Sequence, residues 1–329
     1  MKSQALVTLA LATLPLAAQT ALHRIDPALD KLLAPDAKVE KVAGGFQFVE
    51  GPVWNRSGGY LLFSDIPANT IMKWSPKGGA TVFRDHIYPD SYPPGMQVGT
   101  NGLTLDKQGR IIACEHGNRR VSRIAKDGTL TVLADRYEGK RLNSPNDVVV
   151  KSNGDIYFTD PPFGLLRPGE TLAQAAHNPR RELSFNGVYR ITPDKKLYAV
   201  IKDLDLPNGL AFSPDERKLY VANSADNKWY VYDVNRDGTM SNEHVFFDGN
   251  QVKGEGLPDG MKVDREGNIW AAGPGGIVVI SPQAKLLGVI AFPEVPANCA
   301  WGDADGKTLY VTARTALYRI RTKVTGIRP

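Results

Sequence analysis

Six positions in the chain carry an acid or an amide just ahead of an apolar run. They are Glu50 in Glu50-Gly51-Pro52-Val53-Trp54, Asn101 in Asn101-Gly102-Leu103, Asn146 in Asn146-Asp147-Val148, Asn208 in Asn208-Gly209-Leu210, Asp259 in Asp259-Gly260-Met261 and Asn298 in Asn298-Cys299-Ala300. Successive positions lie 39 to 62 residues apart, the interval of a repeat architecture. Side-chain oxygens in one repeat phase suit a hard cation. Glu50 and Asp259 are carboxylates, and at close range one of them would have to hold a proton unless a cation lay between them. No cluster of His or Cys accompanies them, so the donor set points to Ca²⁺, with Zn²⁺, Mg²⁺, Mn²⁺ or Fe²⁺ as the alternatives. Two acids balance a divalent charge, and a protein ligand set smaller than the roughly 6 to 8 oxygens calcium takes leaves positions for water and substrate. A calcium plug that only pins the repeats together is the competing use of the same oxygens.

The elements that must position these oxygens follow from what surrounds them. An isolated Asn-Gly is normally a turn, but here the hairpin turns fall several residues downstream, at Ser57-Gly58-Gly59, Lys107-Gln108-Gly109 and Arg265-Glu266-Gly267, for example. The six residues therefore open strands. Each unit then reads strand, turn, strand, connection, strand, turn, strand, which is the pattern of a four-stranded blade. Six such units predict an all-β chain folded as a six-bladed β-propeller. The last unit supplies only three strands, so the segment Val39 to Val42 is expected to complete it and close the ring, removing a free sheet edge.

If the first strand of each blade is innermost, its first residue sits at one mouth of the central channel, and the connection after the second strand opens at that mouth too. His116 lies in such a connection, and Arg141 in an inter-blade loop on the same side; both are candidates to bind substrate. Residues 161–185 interrupt blade three after its second strand. An insertion of that length on a rigid scaffold is expected to serve as a lid, with one helical stretch from Glu170 to Ala176.

Residues 1–21 read as a secretory signal peptide: Lys2 precedes an apolar run too short to span a bilayer, followed by small residues. That predicts an exported protein, periplasmic or secreted. Residues 22–37 read as a polar lead-in with a short helical turn through Asp26 to Leu33, and residues 38–329 as one propeller domain. No later apolar run is long enough to cross a membrane. The 40 basic and 35 acidic residues leave a net charge of +5, too evenly spread for a nucleic-acid footprint. Cys114 and Cys299 each sit within an apolar strand and are expected to be buried free thiols.

Three stretches, Glu50-Gly51-Pro52-Val53-Trp54, Pro207-Asn208-Gly209-Leu210 and Pro258-Asp259-Gly260-Met261, occur in order and in the same blade phase. With them, residues 38 to 322 resemble the SMP-30/gluconolactonase family of six-bladed propellers, whose relatives include bacterial lactonases and diisopropylfluorophosphatase. The resemblance implies that Glu50, Asn146, Asn208 and Asp259 hold the metal and that the protein hydrolyses a lactone such as gluconolactone. It further implies that the ion polarises the carbonyl while Asp259 acts as general base. Asn101 is placed in the substrate shell, with Arg141 and His116. Sugar-lactonase members carry an Arg two residues before the blade-three Asn; this chain has Ser144 there, and Arg141 stands five residues before Asn146.

Other hydrolase designs find no support: the chain lacks a G-x-S-x-G elbow, and its five histidines show no zincin spacing. Two rival readings use the same scaffold. One is a phosphotriesterase or arylesterase on the same metal site, which would need a broad hydrophobic pocket. The other is a non-catalytic propeller that binds a saccharide or a protein.

Overall fold

The computed structural model of the protein describes residues 22–327, so the expected signal peptide lies outside the described residues. Six four-stranded antiparallel sheets surround a central channel. The innermost strands are Val49–Asn55, Thr100–Leu105, Val148–Val150, Pro207–Phe212, Met261–Val263 and Pro296–Gly302. Within each blade the four strands run outward as hairpins, each pairing with the next in sequence, as the turn spacing requires.

Burial falls from the axis to the rim. In blade one the inner strand is buried except for its last residue, whereas the outermost strand, Gly79–Arg84, is exposed over five of its six residues. The core is divided into six apolar clusters, each shared by two neighbouring blades. Between blades six and one, Trp54 stacks on Tyr310 with ring centroids 5.4 Å apart, beside the fully buried Leu61 and Phe63. Burying a side chain of the Leu or Phe class contributes about 1.5–3 kcal/mol. A blade alone would leave both faces wet, which is why the ring must close.

Closure is made twice. Val39–Gly44 pairs with Ala316–Arg321, from Val39 opposite Ile320 to Gly44 opposite Ala316, and completes blade six as the sequence predicts. The stretch expected as a polar lead-in also takes part: Leu22–Arg24 adds a fifth strand to blade five, and the helical turn Leu29–Leu32 buries Leu29, Leu32 and Leu33 against blades five and six. A three-residue strand is too short to show a period, so the sequence pattern gave no sign of it. Cys114 and Cys299 are free and buried.

Crowding at the axis explains the repeated glycines. A Cβ on Gly209 would lie 2.3 Å from the Asp259 carbonyl oxygen, and one on Gly260 would lie 1.9 Å from Asn298 Cγ. In blades one, two, four and five the inner strand thus packs its second residue against the opening residue of the next blade. Gly209→Ala is expected to destabilise the fold by about 1–3 kcal/mol, the usual cost of overpacking, read as a lowered urea midpoint with an unchanged slope; an unaltered midpoint would show that the inner strands can move apart freely.

Candidate active site

One channel mouth opens into a cavity of about 350 Å³ lined by Glu50, Asn101, Asn146, Asn208 and Asp259. Five of the six repeat-phase residues therefore converge on one cavity. The sixth, Asn298, lies just behind it and donates from Nδ2 to Glu50 Oε2 at 2.9 Å. β-Bulges at the heads of the inner strands of blades one, two and four turn these side chains toward the axis.

The amides form a chain across the mouth. Asn101 Nδ2 donates to Asn146 Oδ1 at 2.6 Å, and Asn146 Nδ2 donates to Asn208 Oδ1 at 2.7 Å. Asn208 Nδ2 then reaches Ser224 Oγ at 3.1 Å, and Ser224 donates to the Pro258 carbonyl at 2.7 Å, beside Asp259. His116 is fully buried behind this chain, with Nε2 3.3 Å from both Asn101 Nδ2 and Asn146 Oδ1. Burial lowers its pKa to about 4, so the ring is neutral near pH 7 and steadies the two carboxamides without adding charge.

The acids are held where charge is costly. Burial first, and then the negative charge of Asp147, raises the Glu50 pKa to about 7. Asp259 is raised well above the ordinary carboxylate range by burial, by Glu50 and by Asp147. Asp147 is the member that sequence reasoning missed. It occupies the position where blades one, two, four and five have glycine, and it is 2 % exposed.

A hard cation suits this constellation. Asn101 Oδ1 is buried without a hydrogen-bond partner, a costly state that an ion or a ligand hydroxyl at the cavity floor would relieve. Among the described residues, no three or more His, Cys, Asp or Glu side chains gather as a metal cluster. A metal here would accordingly rest on two carboxylates, Glu50 and Asp259, and on amide oxygens, the donor chemistry of Ca²⁺ and not of Zn²⁺.

The insertion forms one wall of the cavity through Phe163, Leu166, Arg167 and Leu172. Its helix spans Leu172–Ala175, shorter than expected, and starts with a capping box between Thr171 and Gln174. Ser144 fastens the insertion down: its Oγ donates to the Pro161 carbonyl at 2.6 Å and accepts from Gly164 N at 2.9 Å. Arg141 is not brought to the cavity. Its guanidinium donates to the Asn118 carbonyl at 3.1 Å, and its backbone N–H to Glu182. The cation that does line the cavity is Arg167, which no repeat phase could flag because it lies in the insertion. On the opposite side, the channel holds a separate apolar cavity of about 140 Å³ lined by Val53, Leu103, Phe212, Trp301 and Ile327 among others.

Residues 48–315 match the model of the SMP-30/gluconolactonase/LRE-like region. The chain belongs to this family. It is 37% identical to the gluconolactonase of Zymomonas mobilis over 319 residues, covering 92% of this chain and 86% of the relative. A solved gluconolactonase structure from Xanthomonas campestris superposes with a TM-score of 0.79 at 34% identity, covering 92% of this chain and 94% of that one. Regucalcin from Agrobacterium tumefaciens, described as a calcium-binding protein, shares the fold at 19% identity, with a TM-score of 0.66 over 88% of this chain and 97% of that one. The SMP-30/gluconolactonase/LRE-like match spans the four inner strands of each of the first five blades and the two inner strands of the sixth, including all five cavity residues named above.

A pH dependence follows for the metal-free protein. Glu50 holds its proton up to about pH 7, whereas in the unfolded chain it titrates near the usual 4.5. Between these values the folded state binds more protons, so its stability falls as pH rises through that window. His116, whose pKa is lowered to about 4, titrates in the opposite sense over part of this window, so the comparison is with Glu50→Gln. Melting temperatures in chelator are expected to fall more steeply from pH 4.5 to 7 in the wild type than in that variant, and a divalent ion bound there should remove the difference and release protons on binding. Identical profiles in the two proteins would show that Glu50 is not strained by its surroundings.

Proposed function

We propose that the protein is a divalent-cation-dependent sugar lactonase, acting outside the cytoplasm and using Ca²⁺ held by Glu50, Asn146, Asn208 and Asp259. The observation that carries this reading is the convergence of two mutually repelling carboxylates with an unpartnered Asn101 oxygen on the floor of one polar cavity. Membership of the SMP-30/gluconolactonase/LRE-like family and the likeness to gluconolactonases support the lactone assignment. The calcium-binding relative agrees with the choice of ion.

The bound ion supplies Lewis acidity toward the lactone carbonyl. The chain's own groups do the rest. Asp259 accepts the proton of the attacking water, and the same proton returns to the ring oxygen as its bond to the carbonyl carbon breaks, giving the hydroxy acid. Asn101 and Arg167 offer a hydrogen-bonding oxygen and a cation to the hydroxyl-bearing side of the substrate. Phe163, Leu166 and Leu172 shield the reacting carbonyl from bulk water, as a lid does. A floor of acids and amides fits a polyol better than the wide apolar pocket that an arylesterase or phosphotriesterase would need.

Acid release from a panel of sugar lactones tests the assignment. Turnover is expected to vanish in chelator and return with Ca²⁺, and Asp259→Asn should lower it by about 10²–10⁴-fold, the range of lost acid–base catalysis, or more where metal is lost too. Metal binding without turnover on any lactone would refute the lactonase reading. Preferential cleavage of phenyl acetate or a phosphotriester would move the protein to the rival hydrolase class.

A further inference from the structure

Lys262 lies three residues beyond Asp259, on the inner strand of blade five, and its ammonium turns toward the channel head. Nζ donates to the Met261 carbonyl at 2.9 Å and to Asn298 Oδ1 at 3.3 Å. The same carboxamide donates from Nδ2 to Glu50 Oε2 at 2.9 Å and lies 3.4 Å from Asp147 Oδ2. One fixed cation thus faces two buried acids across Asn298, which is only 1% exposed. Lys262 also borders the apolar cavity beneath, a position that a Met or Leu would fill as well by packing. Packing alone does not account for a lysine here.

The charges close to a simple sum. Glu50 and Asp147 both face the Asn298 carboxamide, Asp259 lines the same channel head, and Lys262 contributes one positive charge. With all three acids ionised the channel head carries a net −2, the complement of a divalent ion. Without the lysine it would carry −3. On the reading of this cluster as a metal site, we propose that Lys262 is a tethered internal cation that matches the site to divalent over trivalent ions, with Asn298 relaying its contact to Glu50 and Asp147. Lys262 is then a positioning and selectivity residue that touches neither metal nor substrate.

Coulomb energy scales with the charge of the bound ion, so a change in the site's fixed charge must act more strongly on a trivalent ion than on a divalent one. The experiment measures Ca²⁺ binding by calorimetry and Tb³⁺ binding by luminescence on the metal-stripped full chain. Lys262→Met is expected to tighten both ions; a gain of about tenfold for Ca²⁺ implies about thirtyfold for Tb³⁺, because the energies stand as two to three. Asp147→Asn should do the reverse, weakening Tb³⁺ more than Ca²⁺. The double variant Lys262→Met/Asp147→Asn restores the charge and should restore the wild-type Tb³⁺/Ca²⁺ ratio, as should Lys262→Arg.

A merely structural lysine would change stability without moving that ratio. An unchanged ratio in Lys262→Met, or no recovery in the double variant, overturns the inference while leaving the metal site intact. If Lys262→Met fails to fold, as judged by circular dichroism, Asp147→Asn and Lys262→Arg still decide: equal losses for both ions in Asp147→Asn overturn the inference. Wild-type protein that binds neither ion refutes both the metal site and the role of Lys262.

Discussion

The crowding of buried carboxylates at the head of the channel is the constraint to which the rest of the structure answers. For Glu50 and Asp259 the cost of ionisation comes first from burial and then from the neighbouring carboxylates, Asp147 among them. No ordinary apolar core would tolerate them. They are held by backbone N–H groups at Gly51, Val148 and Gly260, by the Asn298 carboxamide, and by the charge of Lys262 nearby. A propeller makes such an arrangement possible because six separate inner strands each deliver one residue to the same small area, and six inter-blade clusters keep those strands from drifting apart.

Rigidity and chemistry meet in the two residues at the head of each inner strand. The first presents an oxygen to the cavity; the second, usually glycine, lets the neighbouring blade approach closely enough for those oxygens to converge. In blade three the second residue is Asp147, which makes that blade the source of an additional buried charge. In blade six it is Cys299, whose Sγ lies 3.3 Å from the Trp270 carbonyl, and whose neighbour Asn298 serves the acids and not the cavity. Departures from the repeat thus mark where the channel is specialised.

The cavity above this floor is completed by elements outside the repeat. The insertion in blade three contributes the apolar wall and Arg167, and Ser144 ties it to the loop that carries Asn146. An arginine at position 144 would have to displace Gly164, whose α-carbon packs so closely that an added Cβ would sit 2.9 Å from Ser144 Cβ and 2.6 Å from His116 Cβ. The wall of the cavity in this chain is therefore supplied by the insertion, while the floor remains the common feature of the blades.

Period and phase fixed a great deal in advance. The spacing of turns and apolar runs specified six four-stranded blades. The missing last strand specified closure by Val39 to Val42, which the structure extends to Gly44. The opening acids and amides, displaced from the hairpin turns, placed six oxygens at one mouth; five line the cavity and Asn298 lies just behind it. Tertiary structure alone decided what has no period: the strand Leu22–Arg24, the retreat of Arg141 into a hydrogen bond with Asn118, the arrival of Arg167, and the meeting of Asp147 with Lys262 across Asn298. Those contacts join residues up to 268 positions apart in the chain, with Leu22 opposite Ile290. Their geometry depends on the angle between blades and the reach of single side chains, quantities that no local pattern encodes.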